Sequence, residues 1–473
     1  MRKGKFQLAI CLLLLLSVCD LRAQTKNKKK ITDLQRRTTT VSAQDTVPQM
    51  QWFKEAKLGI FIHWGIYAVN GIPESWSFYN GEISYNDYMK QLDGFTASKY
   101  DPTAWASLFK EAGAKYAVLT SKHHDGVALW DTKLSKLNVA DSTPAKRDLI
   151  GPFVKALREK DLRIGFYFSH LDWSHPDYAS IRYSSDDTRE DLNSFAFPPV
   201  GKEDPARWEN FLAFHRGQLK ELGSRYKPDI FWFDGDWDRT VEQWRFKELR
   251  RQLHEWVPGV ILNARMKGYG DYKTPEQGVP VIQPDGPWEL CLTINDSWGY
   301  QGHDQNYKST RQLLRIFTEV IGMGGNLLLD VGPKEDGTIP KPQEERLREI
   351  GKWIKKHEEA VYPTVAGLPL GHFYGPTTLS KDKKTIFLYQ YDIPRDKIYL
   401  KGVRNKIKQI RVVGQEGNIA YTRNGGAHWV NIPGVLLIDV PQNMLDEYTT
   451  VIAVELEGEL DLYHAAGEAV EVN

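Results

Sequence analysis

Cysteine is almost missing from this chain. Three occur in 473 residues, and Cys11 and Cys19 sit in an N-terminal apolar segment. Once that segment is removed only Cys291 is left, so no internal disulfide can form. Folding must then rest on a large apolar core, which this length permits. Net charge is almost missing too: 62 Lys and Arg face 61 Asp and Glu, leaving +1. That balance offers no field to draw the chain to nucleic acid or to an anionic membrane. The apolar run Leu8–Val18 is too short to anchor the chain in a bilayer, so no membrane span is expected. No Gly-x-Gly-x-x-Gly follows the first strand-like run, and no His-Glu-x-x-His occurs, which leaves dinucleotide binding and that zinc motif without support.

What is present begins with an export signal. Arg2, Lys3 and Lys5 precede the short apolar run, the pattern of a secretory signal peptide over residues 1–23, with cleavage after Leu21-Arg22-Ala23. Leu16-Ser17-Val18-Cys19 is an imperfect lipoprotein box; Val18 is large for the place before a lipidated Cys19, which favours simple cleavage and a secreted or periplasmic protein. Residues 24–45 are rich in Lys, Thr and Gln, lack apolar periodicity, and read as a flexible linker. Aromatic rings are plentiful, with 15 Trp and 22 Tyr. They suit large cores as well as the flat faces of sugars, so the surplus alone decides little.

The length favours two domains. From residue 46 to 363, strand-like runs alternate with helical segments. The runs are Leu58–Gly65, Lys115–Gly126, Arg163–Ser169, Asp229–Asp234, Val260–Arg265 and Asn326–Pro333. Helices are expected over 102–112, 149–160, 207–226, 240–256, 310–321 and 341–357. Such alternation implies parallel strands, and polar residues recurring at strand ends favour a (β/α)8-like barrel with a site at one rim. Residues 368–458 change texture to short alternating strands separated by Gly, Pro and Asn, an antiparallel β-sandwich; 459–473 read as a tail.

The chain is organised around Asp229–Asp238, DIFWFDGDWD. Ile230 to Phe233 suit a strand buried on both faces, and Asp234 ends it. A carboxylate there is costly to desolvate unless paired or working. The bland reading is that Asp234 caps the following helix, a task Asp236 or Asp238 could also perform. Gly235 permits a sharp exit, and Trp237 can close over whatever binds. His63, His123 and His124 also lie at strand ends. With Asp125 they could hold a metal or bind hydroxyls; the shortage of paired ligands on the first strand favours hydroxyls, and no metal or cofactor is expected. A second carboxyl could come from Glu276, in a Pro- and Gly-flanked loop, or from Glu289, between Trp288 and Leu290. The bland readings are an exposed loop residue for Glu276 and a buried pair with a base such as Arg265 for Glu289.

IFIHWGIYAV, SKHHDGVALWDT, GFYFSHLDW, FWFDGDW, NARMKGYGDYKTPEQ, WELCLTINDSWGY and GNLLLDVGPKEDGTIP together resemble the bacterial α-L-fucosidases of glycoside hydrolase family 29, in order and spacing, from Pro48 to Pro363. The resemblance implies an exo-acting retaining α-L-fucosidase acting on a fucosylated oligosaccharide or glycoconjugate. It implies Asp234 as nucleophile and Glu276 as acid/base, with Glu289 the competing assignment. It also implies His63, His123, His124 and Tyr167 as ligands of the sugar hydroxyls, Arg265 near the nucleophile, and Trp76 and Trp298 at the border. Many members carry Glu directly before the Trp corresponding to Trp76; here the order is Glu74-Ser75-Trp76, so Glu74 either reaches the same place or that contact is lost. The alternatives are a retaining glycosidase for another sugar, such as a β-galactoside, and a barrel that only binds fucosylated glycans.

Overall fold

The computed structural model describes residues 50–178 and 204–464; the expected signal peptide and linker lie outside them. Seven strands form one sheet: β1 (Leu58–Ile62), β2 (Tyr116–Lys122), β3 (Arg163–Ser169), β4 (Ile230–Asp234), β5 (Ile261–Leu262), β6 (Glu289–Thr293) and β7 (Asn326–Val331). Their order is β5-β4-β3-β2-β1-β7-β6, and every pairing is parallel. β1, β2, β6 and β7 are buried along their whole length, as continuous apolar runs covered on both faces require. Outer helices include α1 (Pro102–Glu111), α2 (Ile150–Glu159), α3 (Pro205–Tyr226), α4 (Phe246–Trp256), α5 (Thr310–Gly322) and α6 (Lys341–Lys356). Asp101 and Asp204 cap α1 and α3 by accepting from backbone N–H groups, each with Pro opening the helix.

The alternation expected of a (β/α)8-like barrel therefore reads through, as a curled parallel sheet of seven strands, with three local differences. β6 was not foreseen: its five residues follow a Pro- and Gly-rich stretch with no helix between it and the preceding rim segment. β5 stops at Leu262 because the Asn263 side chain takes over the ladder. Its amide accepts from Phe233 N–H at 2.8 Å and donates to Phe233 O at 2.9 Å. The helix expected over 240–256 breaks at Arg245, whose φ of 53° lies in the left-handed region. Thr240 and Gln243 form the capping box of the short first piece, so Asp234 caps no helix.

β5 and β6 are not paired with each other. Residues 271–277 lie between them as an irregular seam. Asp271 N–H donates to Leu262 O at 2.7 Å on one side. On the other, Glu289 N–H donates to Lys273 O at 2.9 Å, Cys291 N–H to Pro275 O at 3.2 Å, and Gln277 N–H to Cys291 O at 3.0 Å. This seam joins the two edges of the curled sheet.

The C-terminal strands are β8 (Thr364–Ala366), β9 (Thr377–Ser380), β10 (Thr385–Gln390), β11 (Ile398–Leu400), β12 (Ile407–Val412), β13 (Tyr421–Asn424), β14 (Val435–Ile438) and β15 (Thr450–Leu456). They build an antiparallel five-stranded sheet, β12-β15-β10-β9-β8, and a three-stranded one, β11-β14-β13. β8 precedes the expected start at 368. Residues expected in the tail pair back as well, Tyr463 N–H donating to Gly402 O at 2.8 Å. Period-two alternation assigns two cores. Ile386, Leu388, Ile452 and Val454 pack between the two sheets, whereas Phe387, Tyr389, Val451 and Ala453 join the core of the barrel and its helices. Burying each large side chain of this interface contributes about 1.5–3 kcal/mol.

Candidate active site

The C-terminal strand ends surround a cavity of about 250 Å³, on the face where parallel barrels carry their reactive groups. Asp234 closes β4 and enters it. Its Oδ1 accepts from Arg265 Nη1 at 2.7 Å and from Gly235 N–H at 2.9 Å, while Oδ2 accepts from the Tyr167 hydroxyl at 2.9 Å. Gly235 has φ +81°, and a Cβ there would stand 2.4 Å from Leu171 Cγ, so the turn that presents Asp234 needs glycine. Burial works to raise the Asp234 carboxyl, but the Arg265 charge, His124 and the Tyr167 hydroxyl outweigh it. The pKa is held below the usual carboxylate value, and Asp234 is ionised at neutral pH.

Glu276 stands on the seam, its backbone neighbours tied to Cys291. Arg265 Nη2 donates to Glu276 Oε2 at 2.5 Å. One guanidinium thus spans both carboxyls, one on each terminal nitrogen. Arg265 is itself seated over the Trp232 ring, 4.9 Å from its centroid. Glu276 is the more open of the pair, its side chain 42% exposed against 14% for Asp234. A charge-fixed nucleophile candidate and a solvent-reaching carboxyl therefore share one arginine.

The remaining lining comes from loops after several strands. His63 Nδ1 lies 2.7 Å from Asp330 Oδ1; burial lowers the imidazole to about 3, so His63 is neutral at neutral pH, and burial also pushes the Asp330 carboxyl up. His123 Nδ1 meets Ser75 Oγ at 2.5 Å, and its ring stacks on Tyr167 at 5.4 Å and 6°. Glu74 reaches the cavity and accepts from Gly299 N–H at 2.5 Å; burial raises its carboxyl to about 7. The Glu-Ser-Trp order is thus used at each residue: Glu74 and Trp76 line the cavity, and Ser75 orients His123. Trp76 stacks with Trp237 at 6.0 Å, and Trp298 packs on His63 at 4.9 Å.

Two expected site residues do not line the cavity. His124 is buried behind it, with Nδ1 2.6 Å from Ser169 Oγ and Nε2 3.7 Å from Asp234 Oδ2. It faces the nucleophile candidate rather than the open space. Both His123 and His124 are buried because β2 ends at Lys122, so strand alternation no longer separates them. Glu289 lies beneath the floor on β6, accepting from the Tyr116 hydroxyl and, at 2.9 Å, from Trp232 Nε1. It is not paired with Arg265. Sequence reasoning missed Asp330, Ser75, Ser169, Phe61, Trp232 and the lining position of Cys291. Asp330, a carboxylate near the end of the apolar run of β7, carried the same signal as Asp234. Among the described residues no cluster of three or more His, Cys, Asp or Glu has the arrangement of a metal site.

Burial raises the Glu289 carboxyl to about 7. Between the ordinary glutamate range and pH 7 the native state therefore keeps a proton that the unfolded chain releases, and this carboxyl makes stability fall as pH rises through that window. Glu289→Gln should lack that part of the slope. Urea midpoints at pH 5 and pH 8 check this: the wild type should lose more than the variant, and equal losses would refute the assignment.

Paired carboxyls at the rim of a parallel barrel are the equipment of glycoside hydrolases, and this is the class that fold and site define. The α-L-fucosidase family model matches residues 23–359. The chain is 33% identical to the bovine (Bos taurus) tissue α-L-fucosidase over 359 residues, covering 70% of this chain and 72% of that one. It is 34% identical to the human plasma α-L-fucosidase over 342 residues, 66% and 69% of the two chains. Among solved structures, α-L-fucosidase isoenzyme 1 from Paenibacillus thiaminolyticus superposes with a TM-score of 0.77 at 33% identity, covering 87% of this chain and 99% of that one. A family 29 α-L-fucosidase from Bacteroides thetaiotaomicron, trapped as a covalent intermediate in a Glu-to-Gln variant, superposes with a TM-score of 0.77 at 28% identity, covering 89% and 99%. The chain belongs to the α-L-fucosidase family.

Proposed function

We propose that this chain removes terminal α-L-fucosyl residues from glycans with net retention, Asp234 acting as nucleophile and Glu276 as acid/base. Asp234 Oδ attacks the anomeric carbon as Glu276 protonates the departing glycosidic oxygen, leaving a β-fucosyl ester on Asp234. Glu276, now a carboxylate, takes a proton from water, which attacks the same carbon, frees Asp234 and releases α-fucose. His63, His123, Tyr167 and Glu74 supply donors and acceptors for the sugar hydroxyls, and neutral imidazoles can serve as either. Trp76, Trp237 and Trp298 provide flat walls for the apolar face of the ring.

The observation that carries this reading is the bridging of Asp234 and Glu276 by Arg265. It keeps Asp234 charged and unprotonated while leaving Glu276 open to solvent and to a leaving group. Release of 4-nitrophenol from an aryl α-L-fucoside, with an aryl β-galactoside alongside, tests it. The fucoside should be cleaved at least about a hundredfold faster in kcat/KM, as expected of a site that hydrogen-bonds a particular hydroxyl pattern. Preferential cleavage of the galactoside would select the other-sugar reading. Fucose binding without turnover of either substrate would select a binding protein.

A further inference from the structure

Behind the cavity lies a buried polar chain that the reaction above does not use. It starts on α3, where Arg216 Nη1 stands 3.2 Å from His215 Nδ1. His215 Nε2 stands 3.1 Å from His170 Nδ1, just beyond β3. His170 Nε2 stands 3.2 Å from the backbone carbonyl of Arg265. Both imidazoles are fully buried. The direction of the chain is forced by its two ends: a guanidinium can only donate and a carbonyl can only accept. His215 must therefore accept at Nδ1 and donate from Nε2–H to His170 Nδ1, and His170 must donate from Nε2–H to Arg265 O. Each ring has its single proton on Nε2, and a second proton on either would place two donors against each other.

The fold holds the chain in place from several sides. His170 N–H donates to Asp234 O at 2.8 Å, and the His170 ring stacks on Phe233 at 4.5 Å and 12°. Arg216 also donates to Trp244 O. The groups charged or titratable around the two rings are Arg216, Arg265, Asp234 and Lys122; burial followed by Arg216 keeps both imidazoles neutral.

We infer that His170 and His215 are positioning residues for the hydrolysis, fixing the backbone of Arg265 through a one-way chain of hydrogen bonds from Arg216. The inference rests on the role given above to Arg265. The arginine must hold two carboxyls at once, so a displacement of its backbone moves both reacting groups together. A shift of about 1 Å in such a group costs on the order of a hundredfold in rate.

His170→Phe keeps a ring on Phe233 but loses both hydrogen bonds. It should lower kcat on a fucosyl disaccharide about ten- to a hundredfold with KM within about threefold, because the loss falls on the reacting groups and not on the hydroxyl ligands. His170→Gln can return an N–H to the Arg265 carbonyl and should recover most of the rate. A folded His170→Phe with wild-type kcat overturns the inference. Should that variant fail to fold, Arg216→Met at the half-buried head of the chain replaces it, with an expected fall of a few-fold in kcat; no fall overturns the inference. Nitrogen NMR of histidine-labelled wild type gives a readout independent of turnover: His170 and His215 should both be neutral Nε2–H tautomers at neutral pH, and an Nδ1–H tautomer at either overturns the chain. A wild type that releases no fucose, or an active Asp234→Ala, condemns the assigned reaction instead, and the NMR result still judges the chain.

Discussion

Asp234→Ala should lower turnover of an aryl α-L-fucoside by about three to five orders of magnitude, the scale seen when a covalent nucleophile is removed. The fold should survive. Arg265 keeps Glu276 as a partner, and the barrel core does not depend on a carboxylate at the end of β4. Azide should restore part of the rate, because a small anion fits the vacated space beside the Arg265 charge. It attacks from the nucleophile's face, so the product should be β-fucosyl azide. Proton NMR of the product reads the anomeric configuration directly. Near-full activity, or rescue giving the α-azide, would remove Asp234 from the nucleophile's place.

The second large effect concerns Glu276. Acid catalysis matters most when the leaving group is poor. Glu276→Ala should therefore slow hydrolysis of a fucosyl disaccharide by about a thousandfold or more, within the range for general acid catalysis. The first turnover of an activated aryl fucoside should fall far less. Azide should again accelerate turnover, but as a nucleophile on the β-fucosyl ester of Asp234, which yields α-fucosyl azide. Glu289→Ala should affect both substrates evenly and show no azide response, because its carboxyl lies below the floor, held by Tyr116 and Trp232. If the leaving-group dependence and the α-azide follow Glu289 instead, the two assignments are exchanged.

The residues that announced themselves in the sequence were those with no structural excuse. Asp234 at the end of a four-residue apolar run is costly to bury idle, and the structure places it on Arg265, Tyr167 and Gly235. The parallel sheet was legible because β1, β2, β3, β4 and β7 are long apolar runs separated by helices. β6 was not, since the chain reaches it from the seam without a helix and so shows no strand–helix alternation. β5 was overextended because an Asn side chain replacing backbone hydrogen bonds leaves no mark in periodicity. Ser75 and Ser169 were invisible for a related reason. A hydroxyl that orients a histidine looks like any other serine until the two are brought together across the fold. Glu289, the competing acid/base candidate, has its bland reading corrected only in its partners: it is buried, but against a phenol and an indole from β2 and β4 and not against Arg265.

The seam over residues 271–277 divides the labour of the rim between a stiff part and an adjustable part. Asp234 ends a strand paired along its whole length with β3, whereas Glu276 sits where the chain borrows hydrogen bonds from β6 and then departs over 278–287. That excursion carries Val281 and Ile282 in the open, 86% and 82% exposed, and returns where Lys273 N–H donates to Pro287 O at 3.0 Å. Its length is thus decoupled from both anchored ends. A change in the length or composition of 278–287 would leave the hydrogen bonds at both ends in place, so the surroundings of the segment after Glu276 can be altered without moving Asp234 or Arg265.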